Sequence, residues 1–169
     1  MEDQSQLPPE LRQELISLLP RLRRFARSLA GGDAEVGDDL AQAAIERALS
    51  HIDGFELGTR LDSWMYKITQ NLWIDSRRAV ERRGIPVSDE VLASTMGEDG
   101  RRVTEARLVL DATRQAIGQL PDEQRAAVML VLVEGLSYQA ASEALSVPIG
   151  TVMSRIHRAR ATLEAKVFG

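Results

Sequence analysis

The 169-residue chain is 44% hydrophobic, has no cysteine and two histidines, and carries a formal net charge of -4, which allows one ordinary domain or two small ones. Lack of cysteine excludes disulfides, thiolate metal sites and cysteine nucleophiles and suits a reducing compartment, and the isolated His51 and His157 add no ligand cluster. The polar start Met1 to Gln6 offers no apolar region behind a basic one, and no apolar run nears membrane-span length, so a soluble cytoplasmic protein without membrane insertion is expected.

Nearly every periodic stretch reads as helix, and no alternating run is long enough for a sheet. Leu11, Leu15, Leu18, Leu19, Leu22, Phe25 and Leu29 form an apolar stripe crossing Pro20, which predicts a first helix kinked or divided there and ended by Gly31-Gly32. A second helix is predicted from about Asp38 to Ile52, stopped by Gly54. Thr59-Arg60-Leu61-Asp62 has capping-box spacing, and Leu61, Trp64, Met65, Ile68 and Leu72 then repeat at helical intervals into Arg77-Arg78 and Arg82-Arg83. Trp64 lies on that stripe and is expected in the core; Trp73 leans the same way, although both could stack on bases.

From Gly84 to Thr104 the periodicity lapses and glycines and Pro86 interleave with acidic and hydroxyl residues, the pattern of a flexible linker. Val109, Ala112, Ala116, Ile117 and Leu120 then make one helix, and Pro121-Asp122-Glu123 opens another. Ala126 to Val133 is apolar all round, as in a helix buried among others, and Gly135 closes it. The last stretch has helix-turn-helix form. Leu136 to Leu145 and Ile149 to Val167 are joined by Ser146-Val147-Pro148, with Pro148 suited to the first position of the second helix. On that helix Val152, Ile156, Ala159 and Leu163 form a buried stripe. The opposite face carries Ser154, His157, Arg158 and Ala161, with Thr151 and Arg155 on its shoulders.

Charge follows the same division. Residues 61–83 hold five Lys and Arg against three Asp and Glu, and residues 151–169 four against one, within an otherwise acidic chain. Screening over about 8 Å lets two local basic surfaces meet DNA despite the net charge. An Arg-rich terminal helix is usually just a solvated face. Here the helix-turn-helix spacing favours a DNA-reading surface, whose arginines suit phosphates or guanine and whose hydroxyls suit bases or backbone.

Leu120-Pro121-Asp122-Glu123-Gln124-Arg125, Glu134-Gly135-Leu136-Ser137-Tyr138 and Val147 to Arg160 closely resemble domain four of the extracytoplasmic-function (ECF) sigma factors of bacterial RNA polymerase. Asp39 to Gln42, Ile52 to Phe55, Ser63 to Ile68 with Asn71, and Ile74 to Arg78 resemble their domain two. The resemblance implies an all-α fold of two small helical domains joined by a flexible linker. Domain two would take residues 10–83, the linker 84–104, and domain four, ending in the helix-turn-helix, 105–169. It implies a contact with core RNA polymerase through Asp38, Asp39, Gln42 and Arg47. Minus-ten promoter contacts would fall on Lys67, Gln70, Asn71, Arg77 and Arg78, and minus-thirty-five contacts on Thr151, Ser154, Arg155, His157 and Arg158. A basic helix holding phosphates while polar side chains capture an unstacked base makes the minus-ten group physically coherent.

The family habit also implies an anti-sigma partner. Among departures from the family pattern, Ala43 replaces an acid, Ala141 and Ala144 replace larger aliphatics, Met153 replaces a lysine, and Ser146 replaces the turn glycine. A positive φ at Ser146 would cost on the order of 1 kcal/mol. The expected function is promoter recognition, melting and transcription initiation. The alternatives are a sigma-like decoy that sequesters an anti-sigma factor, and an ordinary helix-turn-helix repressor, which would leave the domain-two match unexplained. No phosphate loop, metal-ligand spacing or nucleophile constellation points to an enzyme, and no cofactor is expected.

Overall fold

The computed structural model describes residues 7–85 and 104–169, and all regular structure within them is helical. The linker expected over 84–104 lies, for residues 86–103, outside the described residues. Helix α1 (Pro9–Leu29) continues through Pro20, so of the kink or division expected there the division does not occur. Pro20 and Ile16 are both exposed, so the carbonyl that loses its donor lies on the solvent side. Helix α2 (Ala34–Ser50) begins earlier than its apolar pattern suggests, because the Asp33 side chain accepts from the Val36 N–H at 3.0 Å. A 3-10 turn, Ile52–Gly54, follows.

Helix α3 (Leu61–Arg82) departs from the predicted capping box. Thr59 donates its hydroxyl to the Glu56 carbonyl, while Asp62 accepts from the Ser63 N–H and the Arg60 guanidinium. Local turn bonds outcompete the cap, and Arg60 occupies the N-cap position.

The second half comprises α4 (Glu105–Gly118), α5 (Asp122–Val128) with a π turn over Met129–Val133, α6 (Tyr138–Leu145) and α7 (Ile149–Phe168). The apolar stretch is buried all round from Ala126 to Leu130, as expected, and only its last turn meets solvent. Leu130 and Glu134, four residues apart, face inward, whereas Leu132 and Val133 are 44% and 40% exposed. Likewise Val109 and Ala112 of α4 are exposed, and that helix is held through Ala116 and Ile117. Pro148 sits at the N-cap of α7, one position before the first helical residue.

One buried cluster runs through both halves. Leu22, Phe25 and Leu29 of α1 and Met65 and Tyr66 of α3 join Leu130, Ala140, Ala141, Val152 and Ile156. Phe25 and Tyr66 meet edge to face at 5.1 Å, an arrangement adding about 0.5–1.5 kcal/mol to area burial. The small residues Ala140, Ala141 and Ala144 are buried on α6, which packs between α3 and α7. Gly37 serves the same end in the first half: a Cβ there would lie 2.4 Å from the Arg27 Cα, so only glycine lets α2 meet α1 at this distance.

Candidate polymerase and nucleic-acid interfaces

The helix-turn-helix is held by backbone bonds. Ser137 caps α6 by accepting from the Ala140 N–H at 3.1 Å. At the other end Ser146 is left-handed, with φ 54, the one positive-φ residue other than glycine among those described. Its N–H donates to the Glu143 carbonyl and the Val147 N–H to that of Ser142, at 3.3 and 3.2 Å. These are the paired bonds of a Schellman ending, completed by packing of Val147 on the core. The turn therefore demands the strained conformation that a glycine would adopt freely.

Helix α7 presents the predicted faces. Val152, Ile156 and Ala159 are buried and Leu163 is half-buried. Ser154, His157 and Arg158 are exposed, and the side chains of His157 and Arg158 make no ion pair or hydrogen bond among the described residues. The shoulder residues differ. Thr151 is half-buried, and Arg155 is also half-buried, reaching back to Glu123 of α5 at 3.5 Å.

The five minus-ten candidates fall on two stripes of α3 about 100° apart. Lys67, Asn71 and Arg78 are exposed, and Lys67 lines a crevice between α3 and α6 with Trp64, Gln139 and Glu143. Gln70 and Arg77 share the adjacent stripe with Tyr66 and Trp73 and are half-buried. Arg77 lies over the Trp73 ring at 5.7 Å and pairs with Asp122 of the second half at 3.5 Å. Trp64 is half-buried against Phe55, and Trp73 packs on the core, so both tryptophans serve packing as expected.

Of the polymerase candidates, Asp39 and Gln42 are exposed near the middle of the outer face of α2. Asp38 and Arg47 lie at its opposite edges, about 180° apart around the helix. The Asp38 carboxylate accepts from Arg27 at 2.7 Å through both oxygens and from Arg23 at 3.0 Å. Those two guanidiniums hold its pKa well below the usual carboxylate range.

A cluster the sequence reading missed joins the halves. Glu134 is wholly buried at its side chain and accepts from Arg21 Nε at 3.0 Å, from Arg24 at 2.8 and 2.9 Å, and from the Tyr66 hydroxyl at 3.2 Å. Arg21 also donates to the Glu134 carbonyl at 2.9 Å. Burial and the Glu134 charge push the Tyr66 phenol upward, keeping it a donor. Arg125 is buried too, donating to the carbonyls of Leu120 and, across the halves, Leu29, at 2.8 and 3.1 Å. Both Glu134 and Arg125 stand in stretches singled out by the family resemblance, but partners 68 to 113 residues away leave no local signal.

Among the described residues, no group of three or more His, Cys, Asp or Glu is placed to hold a metal, and no helix is long and apolar enough to cross a membrane. The described residues form a helix-turn-helix beside a helix ending in arginines, an arrangement shared with transcription proteins. The family model for sigma-70 region 4 matches residues 110–163, and that for the Sigma2 domain of PhyR matches residues 15–70. The chain is 36% identical over 162 residues to the ECF RNA polymerase sigma factor EcfG of Rhodopseudomonas palustris, covering 96% of this chain and 87% of that one. It is 32% identical to the ECF RNA polymerase sigma factor SigW of Bacillus subtilis, over 80% and 78% of the two chains. The fold is similar to that of the sigma factor RpoE in complex with the anti-sigma factor NepR from Bartonella quintana, with TM-score 0.78, 30% identity and coverage of 95% and 98%. The chain belongs to the ECF sigma factors of RNA polymerase.

Proposed function

We propose that this chain binds core RNA polymerase and directs promoter recognition, melting and transcription initiation. The single observation that carries the reading is the division of α7 into a buried packing stripe and an outward face whose Arg158 and His157 side chains have no partner among the described residues. Domain four would be residues 105–169 and domain two residues 10–83, the remainder joining them. Thr151, Ser154, Arg155, His157 and Arg158 would meet the minus-thirty-five element, with Arg155 exchanging Glu123 for phosphate. Lys67, Gln70, Asn71, Arg77 and Arg78 would meet the minus-ten element, its melting driven by binding energy that offsets lost stacking. Asp38, Asp39, Gln42 and Arg47 would face polymerase, with Asp39 and Gln42 the accessible centre of the contact. We place this activity in the cytoplasm, and the relative crystallised with NepR supports an anti-sigma partner.

A sigma-like decoy is the second reading, favoured by the match of residues 15–70 to the Sigma2 domain of PhyR. The outward basic face of α7 weighs against it, since a decoy has no need to keep one. Run-off transcription with core polymerase over a genomic promoter library separates the two. Specific transcripts dependent on this chain are expected; output indistinguishable from core alone would refute initiation.

A further inference from the structure

The Glu134 carboxylate is wholly buried, yet the side chains donating to it, from Arg21, Arg24 and Tyr66, all belong to the first half. Burial of a carboxylate is tolerated only while such partners are in place, and here they are in place only when the halves touch. Arg21 and Arg24 are themselves 37% and 51% exposed, so separation would return them to water at little cost while Glu134 rehydrates. The contact is conditional by construction.

The same closure covers one stripe of α3. Tyr66 and Arg77 contact Glu134 and Asp122 of the second half, and Gln70 and Trp73 lie between them at helical spacing. Gln70 Oε1 and Trp73 Nε1 are buried with no hydrogen-bond partner among the described residues. On α5, Gln124 Oε1 and Arg125 Nε are in the same condition. Polar atoms left unpaired on both helices weaken closure relative to a finished core, while the Glu134 cluster favours it.

We propose that Glu134 is an electrostatic latch: it holds the free chain closed with the Tyr66, Gln70, Trp73 and Arg77 stripe covered, and polymerase engagement requires its release. The second clause rests on the initiation reading above; the first does not. The chain has no cysteine, so Gln13→Cys on α1 and Glu164→Cys on α7, both exposed, accept a donor and acceptor dye in the full-length protein. The unmodified latch should give a single compact distance population. Glu134→Gln should raise the open-to-closed ratio about tenfold or more, the scale of a lost charge-assisted cluster.

Arg21→Ala/Arg24→Ala tests the same latch from partly exposed positions and decides the matter should Glu134→Gln unfold the second half. Compact distributions in a folded Arg21→Ala/Arg24→Ala protein would overturn the latch. Unlabelled Arg21→Ala/Arg24→Ala should also bind core polymerase more tightly by a comparable factor, because a closed majority lowers apparent affinity. Opening without that gain would overturn the claim that closure opposes engagement. Failure of run-off transcription would refute initiation and leave the distance result standing.

Discussion

Replacing Ser146 with glycine should stabilise the protein although it deletes a side chain. Ser146 is held at φ 54 by the Schellman bonds that end α6, so every folded molecule bears the left-handed conformation. That conformation costs an L-residue about 1–2 kcal/mol, and glycine is exempt. Glycine's greater freedom in the unfolded chain returns about 0.5–1 kcal/mol of this, leaving a net gain of about 0.5–1 kcal/mol. For a chain of this size that raises Tm by about 1–4 °C. Thermal and urea unfolding of Ser146→Gly beside Ser146→Ala provide the measurement. The alanine variant should stay near the parent, since Ser146 is exposed and its hydroxyl has no partner among the described residues. A β-branched residue such as valine should lower Tm. A Ser146→Gly protein less stable than its parent would refute the argument that the turn is strained.

Gly37→Ala should destabilise by about 1–3 kcal/mol, because its Cβ would fall on the Arg27 backbone and drive α2 off α1; urea midpoints at unchanged slope read this directly. The pKa of Asp38 is lowered by Arg27 and Arg23, so its contribution to stability is present above its ordinary value near 3.8 and lost as pH falls below it. Asp38→Asn should therefore flatten the fall in stability on acidification, an effect that weakens with added salt and is followed by unfolding across pH 2–7. Arg158→Ala should reduce promoter-dependent initiation about 10- to 100-fold with polymerase binding intact; equal loss of both would remove Arg158 from the DNA face. Changing Asp39 and Gln42 together to alanine should do the reverse, weakening capture of core polymerase in a protein with parental Tm.

Local physics made the helices and the outward face of α7 legible. Val152, Ile156 and Ala159 recur at helical spacing, so their burial and the outward turn of Ser154, His157 and Arg158 follow from periodicity alone. Ser146 stood where a turn needs glycine, and its left-handed φ is what that position requires. The strained turn could be read because its cause lies within five residues. Whether α1 divides or runs on at Pro20 was not legible, since it depends on which side of the helix meets solvent.

The chain order determined which faces are basic and which are apolar; only tertiary packing decided which of them are available. Gln70 and Arg77 differ from Lys67, Asn71 and Arg78 by one step around α3, yet that step half-buries both and pairs Arg77 with Asp122 of the second half. Glu134 reads in sequence as an ordinary acid before a glycine. It acquires its role from three side chains of the first half, because the pairing of a buried charge is decided by what folds over it.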